Sequence, residues 1–251
     1  KESSAASDVY KRQLINCIVI KMKQVLAPRL AVDCSGAYLS VALDTGAYIM
    51  LRHENGTNLH SKLLLFFIQE LLKEAVIQPK DLKQLIYTCG PGSFTGLKIA
   101  LSLLKGIALP HQIPLLPIPT LDHLAFSFTQ KNTSSAVITC IDARMAEVFT
   151  AAYLTDPFKK IHQDSLLKTG SSIWQYYLSQ YPRASYVATT AAIEGLSLQH
   201  LHCHIPQADS LFQLAGQSVY VPTTANEARL FYLRDKVALT LQEQMTRYGP
   251  H

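Results

Sequence analysis

Between Thr88 and Leu109 the chain reads TCGPGSFTGLKIALSLLKGIAL. Gly90, Gly92 and Gly96, with Ser93 and Thr95 among them, lie between an apolar run that reads as a strand and one that reads as a helix. At such a junction free backbone N–H groups and the helix dipole can receive a phosphate. The spacing completes neither G-x-x-x-x-G-K-[ST] nor G-x-G-x-x-G, because Thr95 stands where each needs a glycine. A second reading stays open: a tight strand-to-helix turn in which the glycines supply unusual backbone angles and Ser93 or Thr95 caps the helix.

Two carboxylates could accompany that loop. Asp33, followed by Ser35 and Gly36, ends one apolar run, and Asp142 ends another at the matching place in the second half. Two such carboxylates, each before a tight turn, suit a two-lobed sheet protein whose turns face the phosphates of a nucleotide and a metal. They suit equally an α/β protein whose aspartates cap turns. No catalytic set for hydrolysis can be assembled. His53 and His60 lack i, i+4 partners. His200, His202 and His204 alternate without a carboxylate cluster beside them, which reads as an exposed polar edge, and no G-x-S-x-G elbow occurs. No catalytic residue and no metal ligand is assigned.

The elements that must hold these residues follow from turn signals and periodicity. Ser35-Gly36, Thr45-Gly46 and Asn55-Gly56 split the opening into a three-strand meander. A helix over about Leu59 to Val76 follows, with Asn58 as its cap and Pro79 as its stop. A strand, the helix that ends at Pro110, another strand and a short helix capped by Thr120 complete a βββαβαβα order. After the polar break TQKNTSS a strand–turn–strand over AVITCIDARMAEVFTAAYLT restarts the pattern, so a weak internal duplication is expected. Helix, strand, helix and a polar tail finish the chain.

The helix after the glycines is apolar nearly all round, with only Lys98, Ser102 and Lys105 on a narrow stripe, and the helix before it is as broadly apolar. A surface helix needs an apolar stripe of only about 100°. These two are therefore buried between layers or form a partner interface.

With 48% hydrophobic and 16% charged residues the 251-residue chain has a globular composition, and no apolar run is long enough to span a membrane. The net charge of +5 is only mildly basic, and no dense Lys/Arg run marks a nucleic-acid groove. Five cysteines without a C-x-x-C pair fit a reduced, cytoplasmic protein with buried thiols. LINCIVI follows basic residues but is short and lacks a cleavage pattern, so it is not read as a secretory signal. Residues 1–24 are expected to be a disordered or foreign extension, with the natural start at Met22.

LAVDCSGAYLSVAL, GPGSFTGLKIALSLLKGIAL, IPTLDHLA, IDARMAEVFTAAY and YLRDKVAL together resemble the TsaB (YeaZ) family, over about residues 25–245. The resemblance implies a two-lobed actin-like fold of the acetate kinase, sugar kinase, Hsp70 and actin superfamily, with a first lobe over 25–130 and a reduced second lobe over 131–251. It implies a non-catalytic subunit that supports TsaD in transferring a threonylcarbamoyl group to the adenosine beside the anticodon of tRNA, with the TsaE ATPase joining the assembly. A glycoprotease-like peptidase or an ATPase of the superfamily is the competing function. In the family the first-lobe helices pack on TsaD, and the same faces can pair the subunit with itself. Carried over, that makes Leu63, Phe66, Phe67, Leu71, Leu97, Leu101 and Leu104 interface candidates. The chain itself requires no cofactor on this reading, and ATP or ADP would sit at the complex interface; tRNA is met through the complex. This sequence has Cys34 where the family commonly has Thr, and EARLF before Tyr232 where a proline-containing segment is usual.

Overall fold

The computed structural model describes residues 26–56, 58–196, 198 and 201–234. The expected extension over 1–24, His200 and the tail beyond Arg234 lie outside the described residues. The first sheet opens with β1 (Arg29–Gly36), β2 (Tyr38–Asp44) and β3 (Ile49–Asn55), an antiparallel meander. Helix α1 (His60–Glu74) leads to β4 (Gln84–Thr88), and α2 (Phe94–Ala108) to β5 (Leu115–Ile118). Both added strands run parallel to β1, in the order β3-β2-β1-β4-β5. After α3 (Thr120–Thr129) the second sheet repeats the plan with β6 (Ala136–Arg144), β7 (Glu147–Thr155) and β8 (Phe158–Lys168) as the meander. Then come α4 (Ile173–Gln180), β9 (Ser185–Ala188), β10 (Leu201–Cys203) and α5 (Leu211–Leu214).

The second sheet is ordered β10-β9-β6-β7-β8, the same connectivity as the first. The duplication is thus one of topology, and two sheets of this order are the actin-like fold. The second lobe keeps the strands and shortens the helix: its β8-to-β9 crossover holds the 8-residue α4 where the first lobe has the 15-residue α1.

Strand alternation explains the layering. On β1 and β2 the larger residues Leu30, Val32, Leu39, Val41 and Leu43 face α1 and α2. Ala31 and Ala42 point the other way, and their small size admits Ala208, Leu211, Phe212 and Leu214 from the C-terminal part of the chain. Residues 208–230, expected in the second lobe, therefore return to the first. Ala225 and Ala228 enter its core and Thr223 pairs with Leu115 at the β5 edge. Conversely α3, expected in the first lobe, buries Leu121, Leu124 and Phe128 against Val137, Ala151 and Tyr153 of the second sheet.

Several helix ends differ from expectation. Asn58 is not the cap of α1; it takes a left-handed conformation (φ 63°), and Leu59 holds the cap position without a side-chain bond. Thr120 is the first residue of α3 and not its cap, and its hydroxyl is buried without a protein partner. The β8 strand was not expected: FKKIHQDSLLK has no apolar alternation. The helix expected over ADSLFQLAGQSVY shortens to a 3-10 turn followed by α5.

Candidate functional site

The glycine-rich turn is held against the end of β1. Ser93 caps α2, its hydroxyl accepting from Gly96 N–H at 3.3 Å, while its own N–H donates to the Ser35 carbonyl at 2.7 Å. A methyl group on Gly96 would lie 2.2 Å from the Cys34 carbonyl oxygen, and one on Gly92 (φ 156°) 2.4 Å from that of Ser35. The glycines are thus required for two backbones to touch, the turn reading of the sequence. The Cys34 side chain, alternating with Leu30 and Val32, enters the core and not the cleft.

Between the lobes lies a cleft of about 600 Å³. Ser35, Gly36, Gly92, Ser93 and Thr95 line it from the first lobe, and Asp142, Arg144, Thr189 and Thr190 from the second. Of the residues singled out in the sequence, Ser35, Gly36, Gly92, Ser93, Thr95 and Asp142 are therefore brought together; Arg144, Thr189 and Thr190 were not among them. Gly90 and Gly96 support the turn without lining the cleft, and so does Asp33.

Of the two readings of Asp33, a group facing a phosphate or metal and a turn cap, the structure shows the second: it is fully buried and saturated with donors. Its Oδ1 accepts from the Ser35 N–H (2.9 Å), the Ser35 hydroxyl (2.6 Å) and the Thr88 hydroxyl (2.9 Å). Its Oδ2 accepts from Tyr38 Oη (3.1 Å) and faces His123 Nδ1 (2.8 Å). Burial raises the carboxyl pKa, but the hydrogen bond and charge of His123, then the bonds from Ser35, hold it below the ordinary value. Asp142 occupies the matching position at the end of β6, with a register shift after it as after Asp33. Its chemistry differs: it accepts from the Arg144 N–H at 2.7 Å and stays partly exposed at the cleft.

His123 was not singled out in the sequence, and no local signal could have found it, since Asp33 is ninety positions away. Its Nε2 faces Ser210 Oγ at 2.8 Å and the Gln207 carbonyl at 3.1 Å. Aspartate, histidine and serine thus follow one another as in a serine hydrolase. The resemblance ends there: His123 is wholly buried, the Ser210 hydroxyl donates to the Gln207 carbonyl, and none of the three lines the cleft. The Asp33 carboxylate thus meets one ring nitrogen and the Gln207–Ser210 turn the other. The group ties β1 and α3 to the chain returning through Gln207 and Ser210.

Among the described residues no three His, Cys, Asp or Glu side chains gather as a metal site. His60 bonds the Tyr38 carbonyl (2.9 Å), His204 the Ser127 hydroxyl (3.0 Å), and His202 packs on Phe128. Cys34, Cys89 and Cys140 are buried; burial, then Asp122, pushes the Cys89 thiol up to about 12, away from any nucleophilic role.

The two helices divide the interface candidates. Leu71 and Leu104 are buried against the sheet, and Phe67 and Leu101 nearly so (9% and 8% exposed), while Leu97 is buried beside the cleft. All five are buried, Leu71, Leu104, Phe67 and Leu101 because α1 and α2 lie side by side on one face of the sheet. Phe66 is half exposed and Leu63 partly so. The sequence reading missed Leu65, also half exposed, and the partly buried stripe Ile99, Leu103 and Ile107 on α2.

Fold and cleft together define a two-lobed actin-like protein whose first carboxylate is turned inward. A family model described as TsaD, tRNA N6-adenosine threonylcarbamoyltransferase, matches residues 54–248, and the chain belongs to this family, on its TsaB (YeaZ) branch. It is 34% identical over 127 residues to the tRNA threonylcarbamoyladenosine biosynthesis protein TsaB of Escherichia coli K12, covering 51% of this chain and 55% of that one. Against the protein of that name from Bacillus subtilis 168 it is 31% identical over 129 residues, covering 49% and 54%. The chain spans about half the length of these curated relatives. The solved YeaZ from Pseudomonas aeruginosa superposes with a TM-score of 0.68 at 26% identity, over 82% of this chain and 99% of that one.

Proposed function

We propose that this chain is a non-catalytic partner of TsaD in forming N6-threonylcarbamoyladenosine in tRNA, working in the cytoplasm. The family match and the names of its TsaB relatives support the pathway. The observation that carries the non-catalytic role is Asp33: the carboxylate best placed to meet a phosphate or metal is buried and engaged within the protein. The partner docks on the outward side of α1 and α2, where Phe66, Leu65 and the Ile99–Leu103–Ile107 stripe leave apolar surface in the free chain. TsaE joins the assembled complex, ATP or ADP binds where the subunits meet, and in the absence of TsaD the same face pairs two copies.

The test is co-purification with a cognate TsaD and a tRNA threonylcarbamoylation assay with and without this chain. Complex formation with dependent modification supports the proposal. If TsaD neither binds it nor needs it, the proposal fails and the cleft becomes the place to look for an activity.

A further inference from the structure

Two of the links between the lobes, among the described residues, differ greatly in strength. In the first, α3 packs its apolar face on the second sheet, and Asp122 at its start accepts from Tyr153 Oη (2.7 Å) and Tyr220 Oη (2.9 Å) and pairs with Lys160 (2.6 Å). In the second, four residues, Phe231 to Arg234, run along the cleft. The Phe231 N–H donates to the Cys89 carbonyl at 2.7 Å, and the Tyr232 ring packs on Phe94 with centroids 5.7 Å apart. Two residues on, Arg234 reaches the other lobe, where its guanidinium donates to the Ala143 carbonyl at 2.9 Å and pairs with Glu147. All four residues line the cleft.

We propose that Phe231–Arg234 is a latch that holds the cleft closed by fastening the start of α2 to the β6–β7 turn. The contrast between the broad apolar contact of α3 and the few contacts of the strap makes α3 the hinge and the strap the part that releases. The turn it grips is strained: Arg144, Met145 and Ala146 have φ of 65°, 59° and 56°, a left-handed run of three non-glycine residues. The Arg144 N–H bond to Asp142 and the Arg234 bond to Ala143 hold that turn, so release of the strap also frees the turn to relax. Both partners are largely shielded, at 19% and 26% exposed, which makes the pair stronger than an open surface ion pair. At the other end Phe94 carries the load: Tyr232 packs on it and Lys98 lies 4.0 Å above its ring, so latch state is felt at the first turn of α2.

Hydrogen exchange on the full free chain tests this without any partner. In Arg234→Ala and in Tyr232→Ala, the amides of residues 142–147 and 92–96 should exchange roughly tenfold faster or more, the scale on which one charge-assisted hydrogen bond shifts a local opening equilibrium. Those of β1 and β4 should be unchanged. Equal exchange at both segments in both variants overturns the latch. Should Arg234→Ala loosen the whole fold, Glu147→Gln decides, because it leaves the guanidinium and its bond to Ala143 in place. Acceleration confined to the two segments supports the latch; general acceleration or none rejects it.

Discussion

The Asp33 carboxylate and the His123 imidazole meet at 2.8 Å, with neither side chain exposed to solvent. Removing one member of a buried pair leaves the other charged and unpaired, at a cost of roughly 3–5 kcal/mol. His123→Leu should therefore lower the urea midpoint strongly, while the double variant Asp33→Asn/His123→Leu recovers part of the loss. Full additivity of the two single variants in a double-mutant cycle would show that the groups do not interact.

The same pair fixes a response to acid. The Asp33 pKa is lower in the folded than in the unfolded chain, where it is near 3.8, so its stabilisation is present above that value and lost as pH falls through the depressed one. His204 acts higher on the scale. Burial chiefly, then the charges of Lys131 and His123, holds its pKa at about 4 against an ordinary 6.5. The unfolded chain therefore takes up a proton between about 6.5 and 4 that the folded chain refuses, and stability falls with pH across that window. In urea titrations His204→Gln should flatten the midpoint between pH 6.5 and 4 while the decline below 4 persists. An unchanged slope would mean that His204 is readily protonated in the folded chain.

Burial separates positions that the helix pattern could not. Phe66→Glu and Leu103→Glu change residues with outward surface, and should leave the thermal transition near that of wild type while weakening TsaD binding roughly thirtyfold, the loss of a ~2 kcal/mol hot spot. Phe67→Glu and Leu101→Glu, interface candidates by sequence, place a charge in the core and should unfold the chain. Binding unaffected by either outward variant would remove the α1–α2 face from the docking surface.

That division shows where the sequence stopped being informative. Gly turns and short apolar runs made β1 to β3 legible, because each feature is local. The apolar excess on α1 and α2 was legible too, but which residues face the sheet depends on the two helices lying side by side, and a broad apolar face does not say. The return of Leu211 and Phe212 onto Ala31 and Ala42 joins positions far apart in the chain, and only the small size of the two alanines hints at it. For the candidate site, Ser35, Gly36, Gly92, Ser93, Thr95 and Asp142 were placed around one cleft by motif and strand-end position alone. The two readings of Asp33 could not be separated, because strand-end position does not reveal a partner supplied by another helix.

The glycine-rich turn allows the two readings of the sequence to be separated by stability. If the glycines are there so that the turn can touch β1, Gly96→Ala must push the Cys34 carbonyl aside from 2.2 Å, and Gly92→Ala must do so at Ser35 with an unfavourable φ as well. Overpacking of this kind costs about 1–3 kcal/mol, so both should lower the urea midpoint with no ligand present. Thr95→Ala, at an exposed position on the cleft wall, should leave it nearly unchanged. Full stability in Gly96→Ala would mean that the turn tolerates a side chain, and would return the loop to the phosphate reading.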